Sequence, residues 1–96
     1  METINIATTI DSVNGTETED GQKIYDLISN AIDNDSEITL SFQDIETLTP
    51  EFLEAAIGKL YGNYPKEVIK SHLQIVDISV SGKVVLKRVV NMAKQM

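Results

Sequence analysis

Few residues in this chain have side chains suited to catalysis or metal binding, and they are scattered. There is one histidine, His72, and no cysteine. Thiolate nucleophiles, disulfides and cysteine-ligated metals are therefore excluded. His72 stands beside a predicted strand with no carboxylates spaced to complete a metal set, so it reads as a structural or surface residue. The run Asp33-Asn34-Asp35-Ser36-Glu37 begins like a calcium loop but lacks the glycine at its sixth position and the glutamate at its twelfth, which leaves a solvated turn. Glu51 and Glu54 are three apart on one predicted helix. An acid–base pair would need a pocket and raised pKa values, so they read as a charged helix face. No G-x-G-x-x-G or G-x-x-x-x-G-K-[ST] run offers a phosphate cradle. Gly58 and Gly62, four apart, read as helix packing and termination. Tyr25, Tyr61 and Tyr64 read as core-edge packing or as anchors for a partner. The expectation is a protein that is not an enzyme, with no catalytic residue, cofactor or metal.

The elements that position these residues follow from hydrophobic spacing. Thr3 to Ile10 alternates β-branched residues and predicts a first strand. Asp11 to Asp20 is polar and reads as a loop, with Asn14-Gly15 as its turn. Ile24, Leu27, Ile28, Ala31 and Ile32 form one stripe of a helix over Glu19 to Asp33, capped by Thr18 or Asp20 and ended by Asn34-Asp35-Ser36. Ile38 to Phe42 predicts a second strand, which feeds a helix through a defined turn. Thr49 suits the N-cap, Pro50 the first helical position, and Glu51 the positive end of the helix dipole. Phe52, Leu53, Ala56, Ile57, Leu60 and Tyr61 give that helix a broad apolar face, and Gly62 suits a left-handed C-terminal residue. Pro65 to Lys70 predicts a single helical turn. His72 to Ile78 reads as a third strand covered on both faces. A last helix follows, capped by Ser79 or Ser81, with Leu86, Val89, Val90, Ala93 and Met96 inward and Lys83, Lys87, Arg88 and Lys94 outward. Its valines make a strand over Val84 to Val90 the competing reading. The β-α-β-α-β-α order predicts a mostly parallel sheet with right-handed crossovers.

With 96 residues and 42% hydrophobic content, the chain fits one domain, 1–96, with one core. No apolar run approaches the ~20 residues of a membrane span, and no signal peptide is visible, so a cytoplasmic location is expected. The net charge of −7 argues against direct nucleic-acid binding. The charge is unevenly spread: residues 1–58 hold 13 acids and one cation, a balance of −12, and residues 59–96 hold seven cations and two acids, a balance of +5. Either the halves neutralise each other in the fold, or an acidic face meets a basic partner.

Leu40-Ser41-Phe42, Asp44-Ile45, Leu48, Thr49 and Phe52-Leu53-Glu54-Ala55, together with Glu19 to Ile24 and Tyr64 to Val68, resemble the prokaryotic STAS-like domains of unknown function. These are small relatives of the anti-sigma factor antagonists. The resemblance covers about residues 17 to 92. It implies a small STAS-like βαβαβα domain of α/β class, its mostly parallel sheet flanked by helices and its first strand lying between the second and third. It also implies regulation through protein–protein contact, by partner switching with an ATPase or kinase-like regulator. In the antagonists a serine at the start of the helix after the second of these strands is phosphorylated. Here Pro50 takes that place, leaving Thr49 beside it as a phosphoacceptor or, more simply, a cap. The surface expected to bind is Asp44, Glu46, Thr47, Thr49, Glu51 and Glu54, facing a protein with a basic surface. The alternative is a small acidic phage or mobile-element inhibitor that mimics nucleic acid. Exposed strand edges and the apolar Val84, Val85 and Met92 leave room for a homo-oligomer.

Overall fold

Four consecutive buried residues, Ile38-Thr39-Leu40-Ser41, make the strand on which the rest is hung. The computed structural model describes residues 2–94. The chain runs through β1 (Glu2–Asn5), α1 (Ile6–Ile10), β2 (Asn14–Gly15), α2 (Thr18–Asp33), β3 (Ile38–Ser41), β4 (Thr47–Leu48) and α3 (Pro50–Leu53). It continues as a π-helical segment (Glu54–Gly58), α4 (Leu60–Asn63), α5 (Lys66–His72), β5 (Leu73–Val76) and α6 (Val80–Lys94). β1, β3 and β5 form one wholly parallel sheet, and β2 and β4 form a separate parallel pair. The βαβαβα plan is present, with α1, α5 and the β2–β4 pair added to it.

The sheet order is β1-β3-β5, so the second predicted strand is central and the first is an edge, not the reverse. The reason lies in the side chains. Ile38 and Leu40 face the helices while Thr39 and Ser41 face the other way, and a neighbour on each side is needed to bury all four. β1 supplies one apolar residue to the core, Ile4, and begins Glu2-Thr3, both exposed. The sheet register aligns Ile4, Leu40 and Ile75 on the helix side. Right-handed crossovers in this order put α2 and the α3–α5 segment on one face, and α6 packs beside them on α3, the π-helical segment and α4.

Several expectations shift. The first strand stops at Asn5, because the Asn5 side chain accepts from Thr8 N–H at 2.9 Å and caps α1. Ile6 and Ile10, four apart, are both buried on that helix. Asn14-Gly15 is no turn but pairs in parallel with Thr47-Leu48. α2 starts at Thr18 behind Glu17, and no side chain caps it. Gly62 lies inside α4, and no glycine has a positive φ; Tyr64, extended, ends that helix. β5 is covered on one face only: Leu73 and Ile75 are half-buried, while Gln74 and Val76 are exposed. His72 closes α5 rather than opening the strand. α6 is a helix, with Ser79 Oγ accepting from Gly82 N–H at 3.0 Å. Val89 is its buried anchor, and Val85 turns to the core while Val84 and Met92 stay exposed. The Met96 position lies outside the described residues.

The π-helical segment is where the helices meet. Lys59 N–H reaches back five residues to Glu54 C=O at 3.0 Å, and Ala55, Ala56, Ile57 and Gly58 are all buried. Four buried residues in a row need partners on two sides. A Cβ at Gly21 of α2 would lie 2.6 Å from Phe52 O and 2.8 Å from Ala55 Cβ. On the other side, Gly58 lies against Val89 of α6, 3.3 Å from a built Cβ. Gly21→Ala is expected to destabilise the domain by about 1–3 kcal/mol through overpacking. Gly62→Ala has open space in a helix and is expected to be neutral or to stabilise by roughly 0.4–1 kcal/mol. Urea denaturation of the two variants beside the parent checks both.

Candidate functional site

The site is built from the loop that leaves β3 and the helix start that ends it. Phe42 is buried and holds its N–H on Val76 C=O at 3.1 Å. Ser41 Oγ donates to Asp77 Oδ2 at 2.9 Å and accepts from Gln43 N–H at 3.3 Å. The chain then turns through Asp44 with φ of 69°, a left-handed position that Asp tolerates better than most. Glu46 N–H donates to Val13 C=O at 2.7 Å, and Thr49 N–H to Gly15 C=O at 3.0 Å. The loop is therefore laced along the β2 segment. Gly15 permits this closeness: a Cβ there would lie 2.9 Å from Leu48 Cδ2 and 3.2 Å from the Phe52 ring.

Thr49 caps α3, as its type and place predict. Its Oγ1 accepts from Phe52 N–H at 3.3 Å and donates to Thr16 C=O at 3.4 Å. Pro50 takes the first helical position and Glu51 the first turn. Beneath them Phe52 and Leu53 are fully buried. The hydroxyl that phosphorylation would need is thus half-buried and engaged at both its donor and its acceptor sides.

The six expected binding residues fall into two groups. Asp44 and Glu46 line one shallow depression with Asp11, Val13 and Thr8. Glu51 and Glu54 line another with Thr18, Glu19, Gln22 and Lys59. Thr47 and Thr49 lie in the loop between them. Asp44, Glu46, Thr47, Glu51 and Glu54 are exposed. Asp11 and Glu19 were not singled out in the sequence; the acidic excess of residues 1–58 is the signal that covers them. Among the described residues, the ion pairs within 4.0 Å are Lys23–Asp20 and His72–Asp35. None of the surface acids named here is neutralised by a cation of the second half, and Lys59, set in the acidic depression, donates to Gln22 Oε1 at 2.7 Å instead. The tyrosines bind internally: Tyr64 OH donates to Asp33 at 2.8 Å, and Tyr25 OH accepts from Asn63 at 2.7 Å.

His72 ties the end of α5 to the turn after α2. Its Nδ1 lies 2.8 Å from Val68 C=O and its Nε2 2.7 Å from Asp35 Oδ1. Both ring nitrogens thus face acceptors, an arrangement that suits the imidazolium. The Asp35 hydrogen bond and then the Val68 carbonyl raise its pKa above the ordinary value.

Two outcomes are expected. Thr49→Ala should lose about 1 kcal/mol in denaturant melts, with Thr49→Ser close to the parent. Because the folded pKa of His72 is raised, the clamp's stabilisation is complete below about pH 6.5 and is lost as pH rises through the folded value. Asp35→Asn, which keeps the left-handed turn, should therefore cost most near pH 6 and progressively less toward alkaline pH. An NMR titration should show the His72 pKa above the ordinary value in the parent and lower in the variant.

A family model described as STAS-like domain of unknown function (DUF4325) matches residues 20–83. No curated protein and no solved structure matches the chain. No helix among the described residues is long and apolar enough to cross a membrane. The matched stretch runs from the first turn of α2, through the whole of the loop and helix start just described, to the first turn of α6. At two thirds of the 96 residues, with a parallel sheet flanked by helices, it shows that the chain belongs to this STAS-like family.

Proposed function

We propose that this domain is a cytoplasmic, non-enzymatic regulatory module that binds a protein with a basic surface through the acidic loop and helix start after β3. The observation that carries this reading is the pairing of rigidity with free charge. Asp44, Glu46, Glu51 and Glu54 are exposed and have no cation within 4.0 Å among the described residues, yet the backbone under them is held by β2, the Thr49 cap and the buried Phe52. Such a surface enters an interface with little ordering cost, and its field speeds encounter with a basic partner. STAS-like membership, and the likeness to anti-sigma factor antagonists, support partner switching with an ATPase or kinase-like regulator. Thr49 is the residue in this surface whose phosphorylation would switch it: the phosphate would add roughly −1.5 to −2 charge and displace both bonds of the hydroxyl.

The test is charge reversal at Glu46 and Glu51. In Glu46→Lys/Glu51→Lys, binding to the basic protein captured by the parent domain should weaken by roughly tenfold or more, mostly in the association rate, with the domain still folded and its stability lowered only by the about 0.3–1 kcal/mol that Glu51 contributes at the helix start. Equal affinity in parent and variant would place the partner elsewhere on the molecule. Displacement of the domain from that partner by duplex DNA would favour the nucleic-acid-mimic alternative over a switch module.

A further inference from the structure

The helix layer is wider than the sheet it covers. α6 comes after the last strand and leans chiefly on α3, the π-helical segment and α4 rather than on a strand of its own. A groove of about 430 Å³ is left between α6 and the α5–β5 segment. α6 lines one wall with Leu86 and Val90, and α5 and β5 line the other with Ile69, Leu73 and Ile75. The fully buried Ile57 closes the base.

The charged residues of the groove are all lysines. Lys83 and Lys87 stand one turn apart on α6, and Lys70 stands on α5. All three are exposed, and none has a carboxylate within 4.0 Å among the described residues. Lysines so placed lay their methylene stems along apolar surface and keep the ammonium in water. The groove is thus apolar below and cationic along both rims.

That placement of charge selects an occupant. A strand added to β5 would alternate its side chains between the two faces of the sheet. With its apolar residues in the groove, its acids would point away from the lysines. An acyl chain with one anionic head would meet the lysines of one rim and leave the other unanswered. A helix laid along the groove points one stripe at the floor and presents the positions on either side of that stripe to the two rims. The size agrees. Lys83 to Val90 spans about 10.5 Å of α6, or two turns. Two turns of a helix about 10 Å across occupy roughly 800 Å³, so the groove takes about half of that girth and leaves the outer face in water.

We infer that this groove binds an amphipathic helix of a partner protein, one whose apolar stripe is flanked on both sides by acidic residues. Docking an apolar helix face into such a groove is a recurring mode of recognition. A second copy of this chain does not supply it from α2, its most acidic helix: the stripe of Ile24, Ile28 and Ile32 is already buried. This site is separate from the acidic loop and stands whether or not that surface binds.

The probe is a fluorescent peptide of about 14 residues, with Leu at the three-four spacing of one stripe and Glu on both flanks. Its controls are a scramble of the same composition, a version with Lys for Glu, and a version with Pro at its centre. Fluorescence anisotropy against the full chain should show saturable binding of the parent peptide, with each control weaker by roughly tenfold or more. Circular dichroism should show the peptide gaining helix on binding. Amide shifts in the domain should centre on Ile69 to Ile75 and Lys83 to Val90. Lys83→Glu/Lys87→Glu should weaken binding by roughly tenfold, and Lys70→Gln, acting from the other rim, by about two- to fivefold, with the amide dispersion of both variants showing that they remain folded. Absence of binding at about 1 mM, equal binding of the scramble or the Pro peptide, or full affinity in Lys70→Gln would overturn the inference. Tighter binding of dodecanoate at the same amides would overturn it in favour of an acyl chain, and tighter binding of an alternating Val-Glu peptide in favour of a strand.

Discussion

The arrangement depends on how closely α2 approaches the helix that follows β3. The absence of a side chain at Gly21 lets α2 sit against Phe52 and Ala55 at a distance that one methyl group would close. That contact anchors the segment from two directions at once, because α6 meets its far side at Gly58. The π-helical turn follows from the same demand. A regular α-helix presents one stripe, whereas here Ala55 to Gly58 must be buried against two neighbours, and one wider turn spreads them around more of the circumference. Phe52 and Leu53, at the head of this stack, are then fixed in depth. The acidic loop above them inherits that fixity through Thr49.

Much of this was legible in the residues. The Ile24-Ile28-Ile32 stripe, the Thr49-Pro50-Glu51 helix start and the Ile38–Phe42 strand all carried local signals strong enough to survive tertiary packing. What failed, failed where local and tertiary signals compete. Ile4, Ile6 and Ile10 fit a strand by alternation, yet Ile6 and Ile10 are also one helical turn apart, and the Asn5 cap decides between the two. Asn14-Gly15 has the composition of a turn, but its backbone is taken up by β4, a partner 33 residues away that no local window contains. The sheet order likewise depends on which strand can be buried on every side, a comparison among strands rather than a property of any one. For the site, the types and exposure of Asp44, Glu46, Glu51 and Glu54 were readable. Their division between two depressions was not, because it depends on where the loop near Asp11 and the start of α2 come to rest.

The charge imbalance of the sequence survives folding. The carboxylates of the first half and the lysines of α5 and α6 are not consumed by one another within 4.0 Å among the described residues. The sheet shows a related economy. Parallel sheets are usually covered on both faces, but here the face away from the helices carries Thr3, Thr39, Gln74, Asn5, Ser41 and Val76. Its central residues, Thr39 and Ser41, are polar yet buried, and Ser41 is hydrogen-bonded to Asp77, while the apolar Val76 lies exposed on the β5 edge.

The register of the sheet also bears on how the chain reaches this state. Ile38 aligns with Glu2 on one side and with Leu73 on the other, so each pairing closes a loop of some 35 residues, with no hairpin available as a nucleus. Loop closure of that kind is slow compared with helix formation. α2 and the helices after β3 can form and collapse onto each other first, at the Gly21 contact, with the edge strands added last. A chain caught before that last step would expose β3, the most deeply buried strand among the described residues, along both of its sides, and the rate at which β1 and β5 arrive sets how long that exposure lasts.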